Sequence, residues 1–334
     1  MNDRKKDHID LAFRSRTAGE TIDRRFDYEP ILASHPVDDL KPFPFLGKTM
    51  NAPLWISSMT GGTGSARHIN QNLARACGEF GLGMGLGSCR PLLDDDAFFE
   101  DFNLRDLIGD QSPFFANLGI AQVEKALKQK WTDRIVHLVE RLKADGLIIH
   151  VNPLQEWLQP EGDRISVPPL ETLQAFLEKT DLRVIVKEVG QGMGPGSLKA
   201  LLELPLAAIE FAAFGGTNFA KLEMLRATDT LQEFFGPLAA IGHDAEEMMQ
   251  MVNDHIGAGN TIHCQHIIIS GGIRNFLDGH YLIKMSKLPA IYGQASSFLK
   301  YANESYDLLR DFVASQIKGL RLAEAYLKLK TTLS

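Results

Sequence analysis

Residues 145–164 read DGLIIHVNPLQEWLQPEGDR, and the order of residue types in this stretch decides the fold. Leu147, Ile148 and Ile149 predict a short buried strand. The strand leads into His150 and Asn152, then Gln155 and Glu156, before Pro160, Gly162 and Asp163 turn the chain. Side chains alternate along a strand, so His150 and Asn152 share a side. Gln155 and Glu156 fall just past the strand end, where loop residues reach a ligand. A buried strand ending in an imidazole, amides and a carboxylate is how an α/β barrel builds its reactive face. Packing alone gives no reason for that cluster.

Working outward, the same alternation recurs along the chain. Short apolar runs predict strands over Leu54–Ser58, Gly83–Gly87, Phe114–Ala116, Gly146–His150, Val184–Lys187, Ala208–Ala212, His266–Ser270 and Ala290–Tyr292. Amphipathic segments lie between them. Thr63 reads as the cap of a helix whose Ile69, Leu73, Ala76 and Phe80 form one face. Asn303–Thr331 reads as one long closing helix. Eight strands alternating with helices predict the α/β class and a (β/α)8 TIM barrel. A doubly wound sheet is the rival, because periodicity alone does not close a sheet. No G-x-G-x-x-G opens a helix after the first strand, which weakens a dinucleotide fold. With Pro30, Pro36, Pro42 and Pro44, residues 1–50 read as an irregular N-terminal arm packed on one barrel domain of residues 51–334.

The bulk numbers agree. A chain of 334 residues with 44% hydrophobic and 23% charged residues is long enough for a large core. Its formal charge of −7 argues against a nucleic-acid surface. Such a protein binds an anion only by gathering Arg and Lys locally. Cys77, Cys89 and Cys264 are widely spaced, so neither a disulfide scaffold nor a zinc site is expected. The opening MNDRKKDHIDLAF lacks the apolar core of a secretory signal, and no apolar run reaches membrane-span length. The expectation is a cytoplasmic protein with no membrane partner.

Several strand ends carry groups that suit either a ligand or plain structure. Ser58-Met59-Thr60-Gly61-Gly62 closes the first strand, where paired glycines serve a close ligand or an ordinary turn. Gly87-Ser88-Cys89-Arg90 follows the second; Arg90 is a bidentate anion clamp or a surface ion pair. Asn117 ends the third as a ligand contact or a cap. Lys187 ends the fifth, costly to bury without an anion and otherwise paired with Glu188. Gly215-Gly216-Thr217-Asn218, Ser270-Gly271-Gly272-Ile273-Arg274 and Gly293-Gln294-Ala295-Ser296 follow the last three strands. Barrels commonly hold phosphate with the loops after strands seven and eight. Arg4, Lys5 and His8 form R-K-x-x-H in what composition alone makes a solvated tail.

H-x-N-x-x-Q-E followed by Q-P-E-G-D resembles the signature of the type 2, flavin-dependent isopentenyl diphosphate isomerases. M-T-G-G, G-S-x-R, N-L-G, K-E-V-G-x-G and S-G-G-I-R fall in the family's order across residues 4–296, most of the chain. The resemblance implies FMN held by Ser58, Met59, Thr60, Ser88, Asn117, Lys187, Thr217, Gly271, Gly272, Arg274, Ala295 and Ser296. Lys187 would stabilise an anionic reduced flavin. It implies a diphosphate held by Arg4, Lys5, His8, Ser88, Arg90 and Gln155, and Mg2+ bridging Glu156 to that diphosphate. His150, Asn152 and Gln155 would be the catalytic group, NADPH would reduce the flavin, and the arm would reach across a homo-oligomer, a tetramer or octamer. Isopentenyl and dimethylallyl diphosphate would interconvert by a 1,3-allylic proton shift. The chain departs from the family in Phe214 and Ser296, where Arg is common, and over residues 275–279. An FMN-dependent barrel oxidoreductase is the main rival, with His243 its one candidate base, and a non-catalytic flavin- or diphosphate-binding protein is a second.

Overall fold

In the computed structural model, which describes residues 2–58, 66–227 and 229–330, eight parallel strands close into a barrel. They are β1 (Leu54–Ile56), β2 (Gly83–Gly85), β3 (Phe114–Gly119), β4 (Gly146–His150), β5 (Val184–Lys187), β6 (Ala208–Glu210), β7 (Ile267–Ser270) and β8 (Ala290–Gln294). Each pairs with the next, and β8 returns to β1 with Tyr292 opposite Leu54. That closure excludes the doubly wound sheet. Every crossover carries at least one helix, as parallel strands require.

The period of two along each strand sorts the side chains. Leu54, Leu147, Ile149, Val184, Val186, Ile209, Ile267 and Ile269 face outward into a core shared with the helices. Trp55, Phe115, Ile148, Ile185, Ile268 and Ile291 face inward and pack on one another. Gly83 makes this possible, because a Cβ there would lie 2.5 Å from the Trp55 ring.

The N-terminal arm is irregular over most of residues 12–42, as expected, but it is broken by short elements: the helix Asn2–Leu11, the strand Phe26–Tyr28 and a hairpin of Phe43–Phe45 with Lys48–Met50. Leu46 and Gly47 turn the hairpin with φ of 50° and 74°, the pairing that a tight two-residue turn demands. Phe45, Leu46 and Met50 join the inward-facing cluster and plug the amino-terminal end of the barrel. Polar and proline residues around the hairpin hid this role. The closing helix is likewise broken. Ser305, with extended backbone, accepts a hydrogen bond from Leu308 N at 3.2 Å and so caps a new helix, Tyr306–Tyr326, after Ser296–Glu304. The chain then forms the strand Leu327–Leu329, antiparallel to Phe26–Tyr28, which the helical reading missed.

The middle strands sit where the apolar runs place them, but several ends move. β1, β2 and β6 stop two residues short, and Ala212 beyond β6 takes φ of 43°. β3 runs on through Asn117 to Gly119, because Asn117, Leu118 and Gly119 pair with Ile148, Ile149 and His150. A polar residue ended the sequence reading there; in the barrel its side chain points inward. Among the described residues no helix is long and apolar enough to cross a membrane.

Candidate active site

One inward step beyond the apolar layer, the barrel becomes polar. Two residues on from Trp55, Phe115, Ile148, Ile185, Ala208 and Ile268 stand Ser57, Asn117, His150, Lys187, Glu210 and Ser270. The strand period therefore puts six polar side chains in one ring at the carboxyl end of the strands, where barrel enzymes keep their chemistry. Cross-strand register makes His150 the neighbour of Lys187, and Lys187 the neighbour of Glu210.

On the β4 side these groups form a bonded rim. Asn117 Nδ2 donates to Leu86 O at 2.8 Å, which turns Asn117 Oδ1 toward His150 Nδ1 at 2.8 Å. That orientation assigns the His150 proton to Nδ1 and leaves Nε2 as an acceptor. Burial, with Lys187's charge in support, holds His150 down to about 3, so it is neutral at physiological pH. Asn152 ends the strand segment as the N-cap residue of the helix Pro153–Leu158, with proline at the first helical position. Gln155 and Glu156 thus stand on a helical turn and not on a free loop. Asn152 Nδ2 donates to Gln155 Oε1 at 3.0 Å and to Glu156 Oε1 at 3.1 Å. Gln155 Nε2 donates to Glu223 Oε1 at 3.1 Å, and Glu223 pairs with Arg226 at 2.6 Å. Glu156 is buried, and its Oε2 accepts Asp163 N at 2.7 Å. The Asp163 side chain bridges Arg90 Nη1 and Gln122 Nε2, each at 2.8 Å.

The β5–β7 side forms the floor, and it is bonded differently. Lys187 is buried and donates from Nζ to Glu188 O at 3.0 Å. Glu188 is not its ion-pair partner: Glu188 Oε2 instead accepts the N–H groups of Gly190, Gln191 and Gly192. The stronger counter-charge is Glu210, fully buried on the adjacent strand. Burial pulls Lys187 down and pushes Glu210 up, while their mutual attraction opposes both shifts. Ser270 Oγ donates to Glu210 Oε1 at 3.2 Å. Ser57 and Trp55 face the same carboxylate, yet Ser57 Oγ, Trp55 Nε1 and Glu210 Oε2 make no hydrogen bond of normal geometry. Ser58 Oγ, Gln294 Oε1 and Asn152 Oδ1 are orphaned too. Orphaned buried polar atoms are rare, and a group of them at one mouth describes a ligand's outline.

Above the floor lies a cavity of about 330 Å3, lined in part by Ser58, Thr217, Gly272, Arg274, Ala295 and Ser296. Gly215 and Gly272 take positive φ of 105° and 73°, and a Cβ on Gly215 would lie 3.2 Å from Gly272 Cα, so the two loops abut backbone to backbone. Gly271 also lines the cavity, and its φ of 88° lets it pack on Ala213. The helix Ser296–Glu304 begins at the cavity with free amides. Arg274 lies at the edge, mostly exposed, with Nε 3.4 Å from Asp278.

The structure gathers Ser58, Asn117, His150, Asn152, Gln155, Glu156 and Lys187 around the barrel mouth, with Thr217, Gly271, Gly272, Arg274, Ala295 and Ser296 at the cavity. Ser88, half-buried, sits beside Arg90, whose N donates to Ser88 Oγ at 3.4 Å. Arg90 resolves as an ion pair with Asp163. Met59 and Thr60, with Gly61, Gly62 and Thr63, lie outside the described residues. Arg4, Lys5 and His8 are exposed on the first helix, and no hydrogen bond or ion pair joins them to the barrel among the described residues. His243 lies 2.9 Å from Glu247. Sequence reasoning missed Glu210, whose signal is a lone carboxylate in the apolar run AAIEFAA, and Asp163, which it treated only as a turn residue.

No family-level sequence model matches the chain. It is 34% identical to a Rickettsia felis isopentenyl-diphosphate delta-isomerase over 327 residues, covering 96% of this chain and 91% of the relative. A Rickettsia akari protein of the same name is 36% identical over 83% of this chain and 78% of its own. Among solved structures, a flavocytochrome b2 superposes with a TM-score of 0.61 at 13% identity, over 95% of this chain and 78% of its own. A mandelate oxidase variant bearing an FMN adduct gives 0.55 at 14%, over 92% and 88%. At those identities the likeness is one of fold.

Proposed function

The chain belongs to the isopentenyl-diphosphate delta-isomerase family, and from that premise we propose the type 2 reaction: reduced FMN and Mg2+ interconvert isopentenyl and dimethylallyl diphosphate. The observation that carries the reading is the ring of orphaned polar atoms and buried charge under a glycine-walled cavity. Ser57, Ser58 and Gln294 offer unpaired atoms, Lys187 a buried cation, and the start of Ser296–Glu304 free amides. Those groups fit a flavin with its phosphate at the glycine loops. With Phe214 and Ser296 in place of arginine, the phosphate would depend on backbone amides, Ser296 and Arg274.

An isolated alkene is weakly basic, so its protonation needs a placed acid and a stabilised cation. When bound, reduced FMN supplies that acid–base group, and NADPH would supply the reducing electrons. His150 is too weakly basic to carry a proton to the alkene; it holds its proton at Nδ1 and offers Nε2 to orient the substrate. Gln155, fixed between Asn152 and Glu223, positions an amide at the reacting carbons. Arg90, Ser88 and Gln122 form the anion end, with Asp163 marking the place of the diphosphate. Glu156 keeps lone-pair capacity beyond the protein donors it accepts. Mg2+ commonly uses one carboxylate, waters and substrate phosphates. Arg4, Lys5 and His8 would close over a neighbouring subunit's diphosphate in a tetramer or octamer.

The test is NMR of isopentenyl diphosphate in D2O with the protein, FMN, NADPH and Mg2+. Deuterated dimethylallyl product, formed only with reduced flavin, is expected. Flavin that binds and is reduced while the alkene stays put would replace this reading with a hydride-transferring or purely binding role.

A further inference from the structure

We infer that a second, apolar cavity beside the site binds the hydrocarbon tail of allylic diphosphates longer than the five-carbon substrate. Products of chain-elongating condensation would then compete with that substrate. This rests on the proposed function and adds a regulating ligand to the same site.

The cavity lies between the outer face of β5 and the helices Pro169–Leu177 and Pro195–Leu202, with Leu170, Leu173, Val186, Met193, Leu201 and Ile241 in its wall. Its volume is about 520 Å3, whereas roughly 150 Å3 of apolar space suffices for benzene. A five-carbon tail is about the size of benzene and leaves most of this space unused. The wall also includes Asn152 and Gln155, the two amides that hold Glu156 and Glu223 in the site. Asn152 and Gln155 thus belong to both the rim and the cavity wall, and the inferred tail runs past these two shared residues with the head group at the rim.

Charge decides against a separate anion as the occupant. Among the described residues no Lys or Arg lines the cavity. Its charged or titratable members are Glu188, whose Oε2 accepts three backbone N–H groups, and His243, which faces Glu247 at 2.9 Å. Glu188 is an anion and His243 is already engaged by Glu247, so the head group stays at the Arg90 end. Small residues hold the wall open: Gly196 and Ala200 lie on one helix, and a Cβ on Gly196 would meet nothing within 4 Å.

The experiment is calorimetric titration of the full chain, with FMN and Mg2+, by inorganic diphosphate, dimethylallyl diphosphate and farnesyl diphosphate. Each fully buried methylene adds about fourfold in affinity. Farnesyl diphosphate is expected to bind at least about tenfold more tightly than the five-carbon ligand and to inhibit competitively. Ala200→Phe and, separately, Gly196→Leu should bring the two affinities within about twofold of each other, leaving inorganic diphosphate unchanged. Equal affinity for both chain lengths in the unmodified protein would overturn the inference. So would a chain-length preference that survives in both folded variants. Tail-dependent binding without isomerisation would leave this site standing and remove the isomerase reading; isomerisation without chain-length dependence would do the reverse.

Discussion

The rim and the floor of the barrel mouth are held together in opposite ways. At the rim, each charged group already has a partner: Arg90 with Asp163, Glu156 with Asn152 and the Asp163 amide, Glu223 with Gln155 and Arg226. At the floor, Lys187 and Glu210 are buried on adjacent strands, with Glu210 Oε2, Ser57 Oγ and Gln294 Oε1 left over. The rim can exchange partners when a substrate arrives. Strand register fixes the floor; Ser57, Trp55 and Ser270 face Glu210 from within it, and Ser58 Oγ and Gln294 Oε1 are left for a group placed above. A mobile anion end over a rigid cofactor seat is the division of labour this difference implies.

The largest effect should come from breaking the floor. Lys187→Leu leaves Glu210 buried without its counter-charge, which costs about 3–5 kcal/mol in such settings. Urea unfolding of the apoprotein measures it. Glu210→Leu added to Lys187→Leu should restore most of the loss, because a pair removed together leaves no orphan. Additive losses would mean that the two charges do not sense each other. The pH response has a definite sign. Glu210's pKa is raised by burial, so the single variant should be most stable in acid and weaken as pH rises through the folded value.

At the rim the expected losses are catalytic, and they separate by parameter. Gln155→Leu should lower kcat by about a hundredfold with little change in flavin content, since the proposed reaction puts that amide at the reacting carbons. Glu156→Gln should raise KM at fixed Mg2+ by about tenfold while FMN stays bound. Steady-state rates over a Mg2+ series read both. Unchanged metal dependence in Glu156→Gln would take Glu156 out of the cation's shell. A flavin-free Gln155→Leu protein would move that residue from the rim to the cofactor seat.

The same contrast explains what the sequence makes legible. The rim stretch is contiguous, so His150, Asn152, Gln155 and Glu156 can be read off twenty residues, and the strand Gly146–His150 falls where the apolar run puts it. Lys187 is visible as a cation after an apolar run, but its real neighbour is not. Adjacency to Glu210 arises from β5–β6 register, which depends on barrel closure and not on local pattern. Asp163 was hidden for the opposite reason: it is local, in a turn, yet its meaning comes from Arg90, over seventy residues earlier. The hairpin plug was concealed because Phe43, Phe45, Leu46 and Met50 are interleaved with Pro44, Gly47, Lys48 and Thr49, which read as a loop.

His150 joins rim and floor, and its titration sharpens the comparison at lower amplitude. Its pKa is held down to about 3, from 6.5, by burial first and Lys187 second. A depressed folded value means the stabilising contribution is complete above about pH 6.5 and is lost as pH falls toward 3. The slope is about 1.4 kcal/mol per pH unit within that window. Because the unfolded imidazole is half protonated at pH 6.5, unfolding free energies at pH 6.5 and 5.5 should differ by about 1 kcal/mol more in the unmodified protein than in His150→Gln. Equal slopes would mean that His150 takes up protons alike in the folded and unfolded states, and that burial does not hold it neutral.

The smallest effect concerns the ion pair that the proposed diphosphate would have to replace. Arg90 and Asp163 are 2.8 Å apart and both partly exposed, with side chains 48% and 39% accessible. Exposed pairs of this kind contribute about 0.2–1 kcal/mol. A diphosphate that takes Arg90 must displace the carboxylate, so Asp163→Asn should tighten its binding by less than about fivefold, the equivalent of that energy. The amide still accepts from Gln122, and the backbone N–H of residue 163 still reaches Glu156. KM should fall with kcat unchanged. Weaker binding in the variant would instead make Asp163 part of the cation's surroundings, a second carboxylate helping Glu156, and the rim would then seat a metal as firmly as the floor seats its charge pair.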